Sequence, residues 1–166
     1  MGATKKIGNP NSQGALALDP IALFKTLRPL QWVKNGLVFL PFVFAVDLAW
    51  SMDDLGQVPG LLLKLVFVAL AFSALSSAIY LFNDLMDRSG DRLHPVKKNR
   101  PIASGKVGVP VAVSVMIVLA TAGLVVMVLV EPFLGLAGGL YAGINVGYSL
   151  GVKQVVLLDA FAVTSG

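Results

Sequence analysis

The chain has 166 residues, of which 56% are hydrophobic and 13% charged, with a formal net charge of +4. Its mean hydropathy of +0.80 lies outside the usual range of soluble globular domains, so the composition predicts a membrane protein. Cysteine is absent, which excludes disulfides and thiolate metal sites.

The N-terminal stretch, residues 1–19, is polar and rich in Gly, Asn and Ser. It lacks the apolar core and small-residue cleavage site of a secretory signal. We therefore predict a disordered cytoplasmic tail over residues 1–19, followed by a transmembrane domain over residues 20–166.

Four stretches are apolar and long enough to cross a hydrocarbon core of roughly 30 Å as helices. The first runs from about Leu30 to Trp50, and the others are residues 65–82, 107–130 and 132–152. A fifth apolar segment starts after Gln154, and Gly166 is reached too soon for it to cross. We predict an all-α polytopic transmembrane bundle with four full spans and the start of a fifth, as in the N-terminal part of a longer protein. Small residues in the fourth span predict close helix packing there: Gly135, Gly138, Gly139, Ala142, Gly143 and Gly147.

Charge is distributed unevenly among the connections between these spans. Twelve of the thirteen Lys and Arg residues lie in the N-terminal region, in the loop between the second and third spans, or at Lys153. The remaining two connections carry Asp47, Asp53, Asp54 and Glu131. The positive-inside rule therefore predicts a plasma-membrane protein whose N-terminus and 83–106 loop face the cytoplasm. Because topology accounts for the basic charge, no nucleic-acid partner is expected.

Three aspartates, Asp84, Asp87 and Asp91, stand at the cytoplasmic end of the second span. If the helix continues to about His94, their spacing places them within an arc of about 60°. Like charges on one helix face repel each other, so this acidic stripe favours a bound cation. Carboxylate ligands without Cys or clustered His favour Mg²⁺, which commonly bridges carboxylates to substrate phosphates.

A basic loop follows the acidic stripe. His94 and Pro95 are expected to end the helix, and the loop then carries Lys97, Lys98 and Arg100. Cations facing a metal-bound anion would clamp a diphosphate between them. The alternative for these basic residues is a solvated cytoplasmic loop.

One segment resembles the first aspartate-rich motif of the UbiA superfamily of intramembrane transferases. It reads Asn83-Asp84-x-x-Asp87-x-x-x-Asp91, followed by His94-Pro95-x-Lys97-x-x-Arg100-Pro101-Ile102-Ala103-x-Gly105. Flanking sequences are similar, more narrowly, to the decaprenyl-phosphate phosphoribosyltransferase branch. These are Leu27-Arg28-Pro29-x-Gln31-Trp32-x-Lys34-Asn35, Tyr148-Ser149-x-Gly151-x-Lys153 and Leu157-Leu158-Asp159. The family's second acidic motif lies in later helices, beyond the residues of this chain.

The resemblance implies a Mg²⁺-dependent transferase with Asp84, Asp87 and Asp91 as metal ligands and catalytic residues. It implies substrate binding by Asn83, Lys97, Arg100, Lys34, Tyr148, Lys153 and Asp159. Arg28 and Lys34 are expected either at a phosphate or as snorkelling interfacial side chains. Trp32 is expected as an interfacial anchor and His94 as a helix-ending residue.

The implied partners are a diphosphate donor, a polyprenyl lipid acceptor and membrane lipids. Transfer of a phosphoribosyl group to a polyprenyl (decaprenyl) phosphate is the favoured function. Prenyl transfer from a prenyl diphosphate to an aromatic acceptor is the alternative within the same superfamily. A non-catalytic, transporter-like bundle that binds ions through its aspartates is the third possibility.

Overall fold

The computed structural model describes residues 17–52 and 54–152. Every regular element in these ranges is helical. Two isolated β-bridges also occur there, Leu18 with Val107 and Val46 with Trp50. The α-helices are α1 (Pro20–Thr26), α2 (Leu40–Phe44), α3 (Val58–Met86), α4 (Arg88–Leu93), α5 (Val109–Val130) and α6 (Pro132–Gly147). Three 3₁₀ segments, Pro29–Phe39, Leu55–Gln57 and Lys97–Asn99, and a π-helical turn, Tyr148–Val152, complete the described elements. The predicted all-α class is confirmed.

Two helical stretches in the described part of the chain, Leu55–Met86 and Val109–Val130, are long and apolar enough to cross a membrane. The first contains the second predicted span, residues 65–82, and the other covers all but the first two residues of the third, residues 107–130. Helix α3 forms the centre of the structure and packs along α5, along α6 and along the 3₁₀ segment Pro29–Phe39. The fourth predicted span is divided into α6 and the π-helical turn, so its α-helical part has 16 residues.

The first predicted span differs from the continuous α-helix that we expected. It consists of the 3₁₀ segment Pro29–Phe39 and the short helix α2, which ends at Phe44 rather than at Trp50. Residues 45–50 fold back, with Trp50 stacked on Phe42 at 5.0 Å and its indole N–H donating to the Phe42 carbonyl at 2.9 Å. Asp47 adopts a left-handed backbone with φ 64°, which is incompatible with a continuing right-handed helix.

A glycine outside the predicted set allows the backbones of α3 and α5 to approach closely. A Cβ built on Gly123 of α5 would lie 2.8 Å from the Ala71 carbonyl oxygen of α3, so the two backbones meet where no side chain fits. In α6, Gly135 packs on Val128 and Gly138 on Met127 as expected. Gly139, Gly143 and Gly147 have open space beside their Cα atoms within the described part of the chain. The packing prediction therefore holds for only part of the small-residue series.

The last three residues of the predicted tail are folded. Asp19 caps α1 by accepting hydrogen bonds from the Ile21 and Ala22 amides at 3.0 and 3.1 Å. Its own amide donates to the Lys106 carbonyl, and the Gly108 amide donates to the Ala17 carbonyl. These bonds fix α1 beside the loop that carries Arg100. Residues 1–16 lie outside the described ranges.

Candidate functional site

One face of α3 is polar in an otherwise apolar helix. Ser73, Ser77, Tyr80 and Asp84 have spacings of four, three and four residues, which place them within an arc of about 60°. Ser73, Ser77 and Asp84 are buried, Asp84 with only 4% exposure. Buried polar groups must be paired. Ser73 and Ser77 can donate to carbonyls of their own helix, which leaves their oxygens available as acceptors and leaves the Asp84 carboxylate in need of partners from elsewhere.

The 3₁₀ segment Pro29–Phe39 provides donors to the two serine oxygens. The side-chain amide of Asn35 donates to Ser73 Oγ at 3.0 Å, and the Trp32 indole N–H donates to Ser77 Oγ at 2.9 Å. Side chains three residues apart are aligned in a 3₁₀ helix, so Trp32 and Asn35 share one face. Three residues of a 3₁₀ helix rise about 6 Å, and so do four residues of an α-helix. Trp32 and Asn35 are therefore as far apart along their segment as Ser77 and Ser73 are along α3. Trp32 is therefore part of an internal hydrogen-bonded seam, which corrects its assignment as an interfacial anchor.

Arg28 stands at the end of this seam. Its backbone is left-handed, with φ 55° and ψ 57°, immediately before the 3₁₀ segment. The Ser77 hydroxyl proton is shared between the Leu27 carbonyl at 2.9 Å and the Ser73 carbonyl at 2.8 Å, and the contact with Leu27 holds the chain just before the turn. The guanidinium lies 4.5 Å from the Tyr80 ring centroid, and Nη2 lies 2.7 Å from Asp84 Oδ1. The turn thus directs a cation at the buried carboxylate.

A second arginine approaches the same carboxylate from the loop after α4. Arg100 Nη1 lies 2.8 Å from Asp91 Oδ2 and 3.3 Å from Asp84 Oδ1. Asp91 has 3% exposure, so both carboxylates are buried. The loop is held by Ile102 and Val107, which are buried against Leu81 of α3 and Ala112 of α5. These apolar anchors position Arg100 between the two carboxylates.

Asp87 lies at the junction of α3 and α4, on the solvent side of this cluster. It lines a surface hollow of about 270 Å³ together with Asp91, Gly90, His94 and Lys97. His94 Nδ1 accepts hydrogen bonds from the Val96 and Lys97 amides, each at 3.2 Å. Helix α4 ends at Leu93, so the prediction that His94 ends the helix is confirmed.

The carboxylates are suitable donors for a divalent cation, although the structure does not arrange three of them around one point. In the described part of the chain, no three Asp, Glu, His or Cys side chains form a group that could hold a metal ion. Asp84 and Asp91 instead share a single guanidinium nitrogen of Arg100. That nitrogen marks a position where one cation contacts both carboxylates, and hard oxygen donors at such a position suit Mg²⁺.

The other predicted substrate-binding residues have different surroundings. Asn83 Oδ1 accepts a hydrogen bond from Ser149 Oγ in the π-helical turn, whereas the neighbouring Tyr148 is 53% exposed. Lys34 is exposed on the 3₁₀ segment next to Asn35. Because Asn35 bonds Ser73, this part of the segment lies about 16 Å along α3 from Asp84. Lys34 is therefore not among the carboxylates. Lys153 and Asp159 lie outside the described residues.

Several residues of this site were not in the predicted set: Asn35, Ser73, Ser77, Tyr80, Ser149 and, as a carboxylate partner, Arg28. The four-three-four spacing of Ser73, Ser77, Tyr80 and Asp84 is visible in the sequence and could have indicated the polar face. The left-handed turn at Arg28 has no such signal, because a non-glycine residue rarely adopts that conformation.

An apolar hollow of about 260 Å³ opens between α3, α5 and α6, next to the Asn83–Ser149 pair. Its lining includes Phe82, Ile79 and Leu75 of α3, Met116 of α5 and Val146 of α6. Phe82 directly precedes Asn83 in the chain. At 100° per residue it lies about 160° around α3 from Asp84, so the hollow opens on the opposite face of this helix from the carboxylate–arginine cluster.

Comparison with known proteins gives a consistent result. The model of the UbiA prenyltransferase family matches residues 38–165. The decaprenyl-phosphate phosphoribosyltransferase of Corynebacterium glutamicum is 35% identical over 147 residues, which are 87% of this chain and 42% of that protein. The corresponding protein of Mycolicibacterium smegmatis is 35% identical over 144 residues, 87% of this chain and 44% of its own length. The nodulation protein NoeC of Azorhizobium caulinodans is 34% identical over 155 residues, 93% of this chain and 48% of its own length.

The chain thus spans less than half the length of these relatives. Because the family model covers most of the chain, the resemblance found in the aspartate-rich segment is confirmed. The chain belongs to the UbiA prenyltransferase family, whose members are integral membrane proteins.

Proposed function

We propose that this chain forms the donor-binding part of a Mg²⁺-dependent intramembrane transferase that moves a phosphoribosyl group from phosphoribosyl diphosphate to a polyprenyl (decaprenyl) phosphate. The observation that carries the proposal is the cluster of Asp84, Asp91, Arg28 and Arg100 at the end of the apolar helix α3. Similarity to two proteins named decaprenyl-phosphate phosphoribosyltransferase supports this choice of donor and acceptor.

The reaction breaks the bond between C1 of the ribose and a diphosphate oxygen, which keeps the electron pair. A phosphate oxygen of the acceptor forms the new bond to C1. Negative charge therefore grows on the departing diphosphate, and groups that stabilise this charge lower the barrier.

Each charged side chain has a role in this scheme. Asp84 and Asp91 would hold Mg²⁺, with Asp87 at the adjoining hollow as a further proposed ligand, and the metal supplies charge neutralisation to the diphosphate oxygens. Arg100 and Lys97 would bind the diphosphate from the loop side. Asn83 would orient the donor next to the cluster, held by its hydrogen bond with Ser149. We keep Lys153, Asp159 and Tyr148 as proposed substrate contacts.

Two substrate types suit the apolar hollow beside Phe82. It would take the first isoprene units of a polyprenyl phosphate acceptor, with its phosphate beyond Asn83 at the same end of α3 as the charged cluster. It would equally take the tail of a prenyl diphosphate donor, so prenyl transfer to an aromatic acceptor is the second candidate function.

A labelling experiment distinguishes the candidates. Purified protein in lipid nanodiscs is incubated with Mg²⁺, decaprenyl phosphate and phosphoribosyl diphosphate labelled in the ribose. The parallel reaction contains a labelled prenyl diphosphate and an aromatic acceptor. We expect the ribose label in the organic phase; entry of only the prenyl label would favour the alternative, and entry of neither would refute both transfers for this chain.

The same assay tests the carboxylate. Asp84→Asn removes a charge that two guanidinium groups contact, and we expect transfer to fall at least 100-fold, within the range for lost transition-state electrostatics. Asp54→Asn is the matched control, because Asp54 is an exposed carboxylate just before the opposite end of α3. Unchanged transfer by a folded Asp84→Asn variant would exclude the proposed metal-binding role.

A further inference from the structure

The two buried carboxylates already have cations of their own. Asp84 contacts both Arg28 and Arg100, and Asp91 contacts Arg100. Two negative and two positive side chains therefore form a cluster that is neutral by itself. Buried carboxylates of this kind are unfavourable without such partners.

A free divalent cation is poorly matched to this neutral cluster. To reach oxygens of both Asp84 and Asp91 it must displace Arg100, whose nitrogen occupies the position between them. The displaced guanidinium then loses its carboxylate partners and lies beside the newly bound cation. This repulsion opposes binding of the metal alone.

Diphosphate removes this conflict. Its oxygens accept the fork of N–H donors that a guanidinium presents, so both arginines gain a new anionic partner. The side chains of Arg28 and Arg100 are 34% and 31% exposed, whereas the side chains of Asp84 and Asp91, taken without their backbone atoms, are 5% and 4% exposed. The arginines are therefore the partners that can turn towards an incoming anion, while the carboxylates stay in place.

We propose that Arg28 and Arg100 are specificity-determining residues that make the site accept a divalent cation together with diphosphate and reject the cation alone. This inference rests on the proposed function. The two residues act as resident counter-ions of Asp84 and Asp91 until the donor arrives, and then exchange the carboxylates for the diphosphate. Arg28 stays close to both partners because the Tyr80 ring and the left-handed turn hold it.

The test measures binding of Mn²⁺, a spectroscopically visible divalent cation, by equilibrium dialysis against the protein in nanodiscs. Each protein is measured with Mn²⁺ alone and with Mn²⁺ plus methylene diphosphonate, a diphosphate analogue that is not cleaved. We expect wild-type protein to bind Mn²⁺ at least tenfold more tightly with the analogue, a coupling within the ordinary range.

The decisive result is whether Arg100→Gln raises or lowers the affinity for Mn²⁺ alone. Without the guanidinium, Mn²⁺ alone should bind about tenfold more tightly than to wild type, and the enhancement by the analogue should largely disappear. Arg28→Gln should shift both quantities in the same directions. Lys106→Gln removes the same charge from an exposed position on the same loop and should leave both near wild type.

Two other results have distinct meanings. Equal or weaker binding of Mn²⁺ alone by Arg100→Gln would overturn the inference while leaving the donor site intact. Absence of Mn²⁺ binding to wild type under both conditions would instead overturn the proposed function. If the arginine variants do not fold, the wild-type comparison decides, because equal binding with and without the analogue also contradicts the exchange.

Discussion

The hydroxyl of Ser77 connects both sides of the turn that presents Arg28. It accepts from the Trp32 indole and shares its proton between the Leu27 carbonyl and the Ser73 carbonyl of its own helix, and the residue is 1% exposed. A single hydroxyl group therefore joins α3 to residues on both sides of the arginine. The position of the Arg28 guanidinium depends on a residue two helical turns away from Asp84.

Substitution of Ser77 tests this dependence. Ser77→Ala leaves the Trp32 N–H and the Leu27 carbonyl without this partner, and we expect a loss of about 1–3 kcal/mol in the free energy of unfolding. Thermal unfolding in detergent measures the change. Ser104→Ala, which removes an exposed hydroxyl bound to the Pro101 carbonyl, should change stability by no more than about 0.5 kcal/mol. Equal stability of Ser77→Ala and wild type would show that the seam contributes little.

Sequence patterns predicted the long elements of this fold better than the first span. Helices α3 and α5 were predictable because their apolar runs are long, and His94 with Pro95 marks the end of α4. The segment from Leu30 to Trp50 has the same apolar composition, but its hydrogen bonds to the serines of α3 suit a 3₁₀ rise. That preference depends on tertiary contacts, which hydropathy alone does not reveal.

The charged site shows the same division between local and tertiary information. Helical spacing placed Asp84 and Asp91 close enough to share one cation, and Arg100 was predicted nearby. The expectation of three converging carboxylates did not account for Arg28, which is 56 residues from Asp84 in sequence. Its contact requires the 3₁₀ segment to run back along α3.

The crossing of α3 and α5 provides a prediction at the level of elements. Gly123→Ala places a methyl group 2.8 Å from the Ala71 carbonyl oxygen, so the helices must separate, and overpacking of this kind costs about 1–3 kcal/mol. Gly139→Ala is the matched control, since its Cβ meets open space and alanine favours the helix by up to about 1 kcal/mol. Thermal unfolding of both variants should show destabilisation only for Gly123→Ala. Equal unfolding temperatures would mean that the two backbones separate at little cost.

At the scale of the whole molecule, the helices separate two groups of charged residues. Helix α3 begins beside Asp54 and ends beside Asp84, and α5 runs back to end before Glu131. Lys97, Arg100 and Lys106 therefore share one end of the structure. Large apolar side chains between the ends are exposed, including Leu70 of α3 at 59% and Val118 of α5 at 64%. Such a surface suits contact with hydrocarbon, with each charged group at an aqueous boundary.

The absence of native cysteine makes the orientation of this molecule directly testable. Val96→Cys and Met52→Cys place thiols at positions with nearly equal exposure, 72% and 69%, near opposite ends of α3. Because the basic loop is predicted to face the cytoplasm, a membrane-impermeant maleimide should label Met52→Cys in intact cells and Val96→Cys only after permeabilisation. The cysteine-free parent protein measures background labelling. The reverse pattern would place the carboxylate–arginine cluster on the outer side of the membrane, away from a cytoplasmic diphosphate donor. Labelling of both variants in intact cells would contradict a membrane between the two ends.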